Sequence, residues 1–275
     1  MIAALAILSF ASCTKRPSID QATLDLADDD AVSDVVFEDI FNTVDNADII
    51  LDDYQKGNVS KSVADSCPLV TIDHPSDGLW PKIITVDFGA GCTNSFDNTR
   101  SGKINIVVTG KRLQPGSKKT VTFDNYYFNG IKVDGSKEFE NLGYNDNQKM
   151  VFSIKLTDGK LTLPDGRFIE RSFQHQREWL AGLLTRNIWD DECLITGTAS
   201  GVTIKGVAHT NSITTALDWK RVCRFIVSGV VEIKREGLET VTINYGTGEC
   251  DAIATVTKGD ETKEITLRNK HRFVH

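Results

Sequence analysis

Several motifs of common active sites are missing from this 275-residue sequence. It has no Gly-x-Ser-x-Gly segment, which carries the nucleophile of many hydrolases, and no His-Glu-x-x-His segment, which binds zinc in metalloproteases. The cysteines include no Cys-x-x-Cys pair, and the histidines are scattered without metal-ligand spacing. The sequence therefore predicts no metal site and no cofactor.

An excess of basic residues is also missing. Lysine and arginine total 31 against 38 aspartates and glutamates, which gives a net charge of −7 and an isoelectric point of about 5.3. Nucleic-acid-binding domains usually carry a basic patch or stripe, often interleaved with aromatic residues. No such stripe is visible here, so nucleic acid is not expected as a partner.

Long apolar runs are restricted to residues 1–12. As a helix, this segment would extend about 18 Å, which is too short for the roughly 30 Å hydrocarbon core of a bilayer. Its length suits the apolar region of a secretory signal peptide. The rest of the chain is predicted to be a soluble domain on a tether.

The apolar run ends in the segment Phe10-Ala11-Ser12-Cys13. Two small residues before a cysteine resemble a bacterial lipobox, in which the signal is cut before the cysteine and the thiol carries diacylglycerol. Phe10 replaces the usual leucine, and this resembles the looser lipoboxes of Bacteroidota lipoproteins. The resemblance implies a signal peptide at 1–12, lipidation of Cys13 and a lipidated tether at 13–27. The alternative is an ordinary cleavable signal with an incidental Cys13.

Residues 28–57 are predicted to form an N-terminal amphipathic helix. Asp28, Asp29 and Asp30 suit its N-terminus, and Gly57 suits its end. The stripe is expected to pack on the protein's own core, and a partner-binding or membrane-lying helix is the alternative. The apolar residues recur at spacings of three, four or seven, and comprise Val32, Val36, Ile40, Val44, Leu51 and Tyr54, with Phe37 and Phe41 beside them.

From Cys67 onward, segments with a period of two alternate with turns. Asn129-Gly130, Asp158-Gly159 and Asp165-Gly166 are typical hairpin turns. The predicted fold class is therefore mainly β, with antiparallel sheets that are either sandwich-like or one extended curved sheet.

Residues 172–192 interrupt the strand pattern and are predicted to be a helical or irregular insert. They separate a first β unit at 65–171 from a second β unit at 193–275. This insert also contains the residues of a hypothetical hydrolase site. His175 and Glu178 would share one helix face as an acid–base pair, together with Asp190 or Asp191. A solvent-exposed polar face is the favoured interpretation.

An internal repeat relates ITVDFGAGC at 84–92 to VTINYGTGEC at 241–250, which indicates a duplication. Each copy has a second cysteine upstream, and a hairpin turn is predicted midway between the two. An exported protein can form disulfides. The spacing predicts the pairs Cys67–Cys92 and Cys223–Cys250. Cys193 is left as a buried, inert thiol, with pairing to Cys223 as the alternative.

Aromatic residues cluster at Tyr126, Tyr127 and Phe128. On a strand, Tyr126 and Phe128 share one face and Tyr127 takes the other. Exposed rings would be candidates for stacking on a sugar or another flat ligand. Packing in the core is the favoured interpretation.

The overall layout, with a short lipobox, a tether, an N-terminal helix and a β-rich body, resembles Bacteroidota-type envelope lipoproteins. The resemblance implies a lipid anchor on Cys13 in the outer membrane, facing the periplasm or the cell surface. Without a catalytic motif, we expect a non-enzymatic binding or interaction module for a glycan, a lipid or a protein. The alternatives are a structural or adhesive envelope component and, less favoured, a hydrolase that uses the 172–192 insert.

Overall fold

The structure is a computed structural model that describes residues 19–57, 67–73, 78–95, 97–185 and 187–267. The expected signal peptide at 1–12 and the expected lipidation site at Cys13 lie outside the described residues. Within the described part of the chain, one helix accompanies fourteen strands that form a single antiparallel sheet. The mainly β fold class and the N-terminal helix are confirmed.

The helix is α1 (Gln21–Gln55), and a short 3-10 turn spans Ile188–Asp190. The strands are β1 (Leu69–Ile72), β2 (Lys82–Asp87), β3 (Cys92–Thr93), β4 (Thr99–Val108), β5 (Lys118–Phe128), β6 (Ile131–Tyr144), β7 (Met150–Thr162), β8 (Phe168–Ala181), β9 (Glu192–Val202), β10 (Ala208–Lys220), β11 (Phe225–Lys234), β12 (Val241–Thr247), β13 (Ile253–Lys258) and β14 (Glu261–Thr266).

The strands follow one another across the sheet in chain order, except that the two-residue β3 pairs only with β4. Of the two arrangements that the sequence left open, the structure therefore has the single extended sheet. The Asn129-Gly130 turn joins β5 to β6 as predicted, with both residues at positive φ. Asp158-Gly159 is not a turn: it lies within β7, where a register shift bulges the strand toward β8.

The helix α1 packs its apolar stripe against one face of this sheet. Val36, Ile40, Val44 and Leu51 are at most 2 % exposed and join the core formed by β2 to β8. Leu26 and Ala27, one end of the same helix, join a second core with strands β9 to β13. The predicted packing of the stripe on the protein's own core is confirmed.

The helix begins seven residues before its predicted start. Asp20 caps it, because its carboxylate accepts a hydrogen bond from the Thr23 backbone N–H at 2.9 Å. Residues 21–27, predicted to be part of the tether, are therefore helical. The acidic cluster at 28–30 does not mark the N-terminus; Asp29 and Asp30 are buried against the sheet instead.

The prediction of a helical or irregular insert at 172–192 is wrong for residues 172–181, which form a strand. Residues 172–181 complete β8, and an irregular connection with the 3-10 turn follows. The strand's inward positions include Arg171 and Arg177, which are 5 % and 6 % exposed. Buried charges at alternate positions hide the apolar alternation by which a half-buried strand is recognised.

Both predicted disulfides are present. Cys67 is bonded to Cys92 with a Cα–Cα distance of 5.7 Å, and Cys223 is bonded to Cys250 with a distance of 5.3 Å. Cys193 is a free, buried thiol, as expected. Both copies of the internal repeat form a strand, β2 or β12, followed by a glycine-containing turn that leads to a bonded cysteine.

Candidate binding site

The face of the sheet that packs on α1 carries many cations, and α1 supplies the opposing carboxylates. The helix contains no lysine or arginine. The ion pairs that strands and their connecting loops form with the helix include Arg100–Asp39, Arg112–Asp45, Arg112–Asp48, Lys119–Asp48, Arg171–Asp30, Arg171–Asp34, Arg177–Glu38, Lys205–Asp25 and Arg221–Asp45.

These pairs compensate charges that are largely removed from water. The Arg171 and Arg177 side chains are 5 % and 8 % exposed. A buried guanidinium is tolerated only when carboxylates or other acceptors face it. The helix therefore covers this part of the sheet face both sterically and electrostatically.

Arg235 departs from this pattern. It is the first residue after β11 and is only 9 % exposed. Its Nε and Nη2 atoms have no hydrogen-bond partner, and it forms no ion pair with any residue that the structure describes. Most buried polar groups in proteins are satisfied, so such an exception calls for an explanation.

Arg235 lines an open cavity of about 910 Å³ at the end of the sheet where α1 begins. Three consecutive residues from each of five neighbouring chain segments surround this cavity, which we call the β7–β11 cavity. The lining residues are Asp158, Gly159, Lys160, Glu170, Arg171, Ser172, Ser200, Gly201, Val202, Ala208, His209, Thr210, Lys234, Arg235 and Glu236.

The middle residues of these segments form a row across the strands. Gly159 pairs with Arg171, Arg171 with Gly201, and Gly201 with His209. A Cβ atom on Gly201 would lie 2.3 Å from the backbone oxygen of Glu170 and 3.2 Å from Cε1 of His209. Only glycine permits this close approach, so Gly201 sets the spacing of the two large side chains beside it.

His209 contributes a second unused polar group. It is 6 % exposed, and its Nε2 atom has no hydrogen-bond partner in the described structure, while Nδ1 lies 3.5 Å from the Val207 carbonyl oxygen. Burial lowers the pKa of His209; Asp30 opposes this effect, and the cations Arg171 and Arg235 add to it. The imidazole is therefore neutral at neutral pH.

Arg171 lines the cavity, but its guanidinium is bound to the helix. Asp30 Oδ1 accepts hydrogen bonds from Arg171 Nη1 and from Asn211 Nδ2. Arg171 Nε and Asn211 Oδ1 stay without partners among the described residues. The result is a buried polar cluster, adjoining the cavity, whose hydrogen-bonding capacity is only partly used.

The structure does not expose the aromatic cluster that was a candidate for ligand stacking. Tyr126 and Phe128 are 0 % and 3 % exposed and belong to the core on the helix side. Tyr126 packs on Phe88 and Phe123. Both are wrong as stacking residues, and the favoured core interpretation is confirmed. Tyr127 is half-buried on the opposite face.

The hypothetical hydrolase residues are not brought together. His175 stacks on Phe173 with ring centroids 4.3 Å apart, and burial together with nearby cations lowers its pKa to about 3. Glu178 accepts a hydrogen bond from Asn145 at 2.9 Å. Because β8 is a strand, residues three apart lie on opposite faces. The hypothetical His175–Glu178 acid–base pair is therefore not formed.

The two aspartates of that hypothesis have structural partners. Asp191 pairs with Arg221 at 2.7 Å, and Asp190 accepts a hydrogen bond from Thr185 at 2.8 Å. Over the described ranges, no group of three or more His, Cys, Asp or Glu side chains is arranged to hold a metal ion. In the same part of the chain, no helix is both long and apolar enough to cross a membrane.

Comparisons with protein-family models, with curated proteins and with solved structures found no match. The interpretation of the β7–β11 cavity therefore rests on the residues of this chain alone. Sequence reasoning missed the cavity, because Arg171, His209 and Arg235 are distant in sequence and only strand pairing brings them together.

Proposed function

We propose that this protein is a lipid-anchored binding module of the cell envelope, without catalytic activity, and that its ligand occupies the β7–β11 cavity. The observation that carries the proposal is the unused hydrogen-bonding capacity of buried Arg235 and His209 at an open cavity of about 910 Å³. Ligand pockets typically combine such a volume with a few convergent polar groups.

The lining favours a polar ligand. Ser172, Ser200 and Thr210 supply hydroxyl groups, and Val202 is the largest apolar side chain among the described lining residues. No Phe, Tyr or Trp side chain is among the described lining residues, which disfavours a broad platform for stacking flat rings. Of the ligand classes expected from the sequence, a glycan or a polar peptide fits better than a lipid chain.

The position of Ile19 indicates which part of the fold a lipid on Cys13 would hold near a membrane. The Ile19 backbone N–H donates to Glu261 at 2.9 Å. Ile204 and Lys205, which lie between β9 and β10, contact the first turns of α1. Ile19 is six positions after Cys13, a reach of at most roughly 20 Å for a fully extended chain. A lipid on Cys13 would therefore hold the cavity end of the sheet close to the bilayer.

A structural or adhesive role is the second candidate from the sequence, and the edge strand β14 gives it little support. The edge strand β14 is largely exposed and carries Glu261, Lys263 and Glu264. Charged side chains on an edge strand oppose pairing with another chain.

Native mass spectrometry of the full chain, extracted from its own membrane, tests the proposal. We expect a lipid mass on Cys13 and a co-purifying polar ligand. A bulky Ser200→Trp substitution should remove the bound mass, since Ser200 lines the cavity. Thr196→Trp is the matched control, because Thr196 is an exposed residue of the same strand outside the lining.

Loss of the bound mass in both variants, or in neither, would argue against the cavity as the binding site. An unmodified chain that begins beyond Cys13 would remove the lipid anchor from the proposal.

A further inference from the structure

We propose that the β7–β11 cavity recognises an oxyanion group, a carboxylate or a phosphate, and that Arg235 is the residue that pairs with it. This inference rests on the proposed function, because it names the ligand chemistry of the same cavity. Arg235 differs in one respect from the other arginines of the sheet, namely in its lack of a carboxylate partner.

Among the described residues, every other arginine that faces the helix has a carboxylate partner. Arg100, Arg112, Arg171 and Arg177 pair with α1, and Arg221 pairs with both Asp45 and Asp191. Arg235 is as buried as these residues, yet it forms no ion pair within the described ranges. Since the described structure pairs its other buried arginines so consistently, the missing partner of Arg235 is expected to be a ligand group that enters the cavity.

The cavity is the place from which such a partner can arrive, because Arg235 lines it. A guanidinium presents a planar fork of donors that matches the two oxygens of a carboxylate or phosphate. Two of those donors, Nε and Nη2, are unused. Desolvation makes the pairing stronger than it would be at an exposed arginine.

His209 refines the ligand class. Its Nδ1 atom lies 3.5 Å from the Val207 carbonyl oxygen, which favours the proton on Nδ1. The unpartnered Nε2 atom is then an acceptor, and it suits a hydroxyl on the ligand. The site therefore fits an oxyanion group carried by a hydroxyl-bearing body, such as an acidic sugar.

The rim of the cavity limits the total charge of the ligand. Lys160 and Lys234 are its cations, and Asp158, Glu170 and Glu236 are its anions. This nearly balanced rim does not attract a polyanion, because three carboxylates oppose it. Recognition therefore depends on the single oxyanion group that reaches Arg235.

Titration calorimetry on the full chain tests the inference, with glucuronate, inorganic phosphate and neutral glucose as probes at constant ionic strength. We expect glucuronate or phosphate to bind more tightly than glucose. Arg235→Gln should weaken that binding by at least about tenfold, as expected for a lost charged hydrogen bond. Arg167→Gln is the control and should change it less than about twofold, because Arg167 is an exposed arginine outside the lining.

A thermal-unfolding readout without any probe separates binding from a structural role. If Arg235 has no ion-pair partner in the ligand-free protein, Arg235→Gln removes an unpaired buried charge. The unfolding midpoint should then stay the same or rise. Arg177→Gln breaks an existing pair and should lower it. A comparable fall of the midpoint in Arg235→Gln would overturn the inference.

The titrations, together with the native mass spectrometry of Ser200→Trp, distinguish failure of the inference from failure of the proposed function. If glucose binds as tightly as glucuronate, and if Ser200→Trp but not Arg235→Gln abolishes binding, the cavity binds ligands without using an oxyanion, and only the inference fails. If no probe binds and Ser200→Trp leaves the co-purified mass unchanged, both the inference and the cavity assignment fail.

Discussion

Glu38 and Arg177 form an ion pair between α1 and β8 that is largely removed from solvent. Their side chains are 18 % and 8 % exposed. Arg177 donates two hydrogen bonds to the carboxylate, from Nη2 to Oε2 and from Nη1 to Oε1, the latter at 3.1 Å. The Arg177 guanidinium also lies over the ring of Phe41, 4.0 Å from its centroid. Removing the carboxylate would leave a buried cation without its counter-ion.

We expect Glu38→Gln to lower the free energy of unfolding by about 3–5 kcal/mol, the typical effect of breaking a buried pair. The control is Asp52→Asn on the same helix, whose partner Lys56 is 60 % exposed. Exposed pairs contribute about 0–1 kcal/mol. Urea denaturation of both variants measures the difference, and equal losses would contradict the role given to the buried pair.

Asp29 makes the stability of the fold depend on pH. It is 8 % exposed and accepts a hydrogen bond from the Ile204 backbone N–H at 2.9 Å. Burial raises the pKa of Asp29 from 3.8 to about 6; the hydrogen bond from Ile204 and Lys205 oppose the rise, while Asp25 and Asp30 add to it. Between these two pH values the folded chain holds a proton that the unfolded chain has lost.

The contribution of Asp29 to stability therefore falls as pH rises from about 4 to about 6. An asparagine at this position would keep an acceptor for the Ile204 N–H without a charge. We expect the free energy of unfolding of Asp29→Asn, relative to that of the wild type, to increase by about 1–3 kcal/mol as the pH rises from 4 to 7. Denaturation at pH 4, 5.5 and 7 measures this gain, and a difference that does not change with pH would rule out the raised pKa.

At the scale of elements, α1 depends on the sheet for its stability as a helix. Asp30, Asp34 and Glu38 follow one another at a spacing of four, so like charges face each other along the helix. Such pairs destabilise an isolated helix. The cations that compensate them, Arg171 and Arg177, lie on β8. The helix is therefore stabilised by tertiary contacts rather than by its own charge pattern.

The apolar stripe of α1 supplies the other part of that stabilisation. Ile40 is fully buried near the middle of the helix. We expect Ile40→Ala to lower the free energy of unfolding by about 2–5 kcal/mol, because it removes buried apolar surface and leaves a cavity. Val35→Ala, at a position 51 % exposed on the same helix, should change it by less than about 0.5 kcal/mol. Comparable effects would contradict the packing of α1 on the sheet.

At the scale of the whole molecule, a meandering sheet is covered by one helix and braced by a disulfide near each end. Cys67–Cys92 closes 25 residues around β1 and β2, and Cys223–Cys250 closes 27 residues around β11 and β12. Cross-links over such distances reduce the entropy of the unfolded chain.

We expect reduction of each disulfide to lower the free energy of unfolding by about 3 kcal/mol. Alkylation of the unfolded, unreduced protein should label Cys193 and none of the four bonded cysteines. Cys193→Ala should respond to reductant as the wild type does. Labelling of Cys223 or Cys250 before reduction would show that a different pairing exists.

The sequence by itself determined the features that depend on neighbours along the chain. Alternating apolar residues predicted the strands, the Asn129-Gly130 turn predicted a hairpin, and the stripe from Val32 to Tyr54 predicted the helix. The repeated cysteine spacing predicted both disulfides. Each of these follows from local backbone geometry or from hydrophobic period, which a sequence displays directly.

Tertiary structure alone decided where the buried charges go. Arg171 and Arg177 look like surface residues in sequence, and their burial becomes clear only once α1 places Asp30 and Glu38 opposite them. The same reason explains why residues 172–181 of β8 are predicted to belong to an insert. A buried charge is stable only beside its partner, and the partners here come from segments more than a hundred residues apart. Only the tertiary structure likewise shows that Arg235 is the one buried arginine among the described residues without an ion pair.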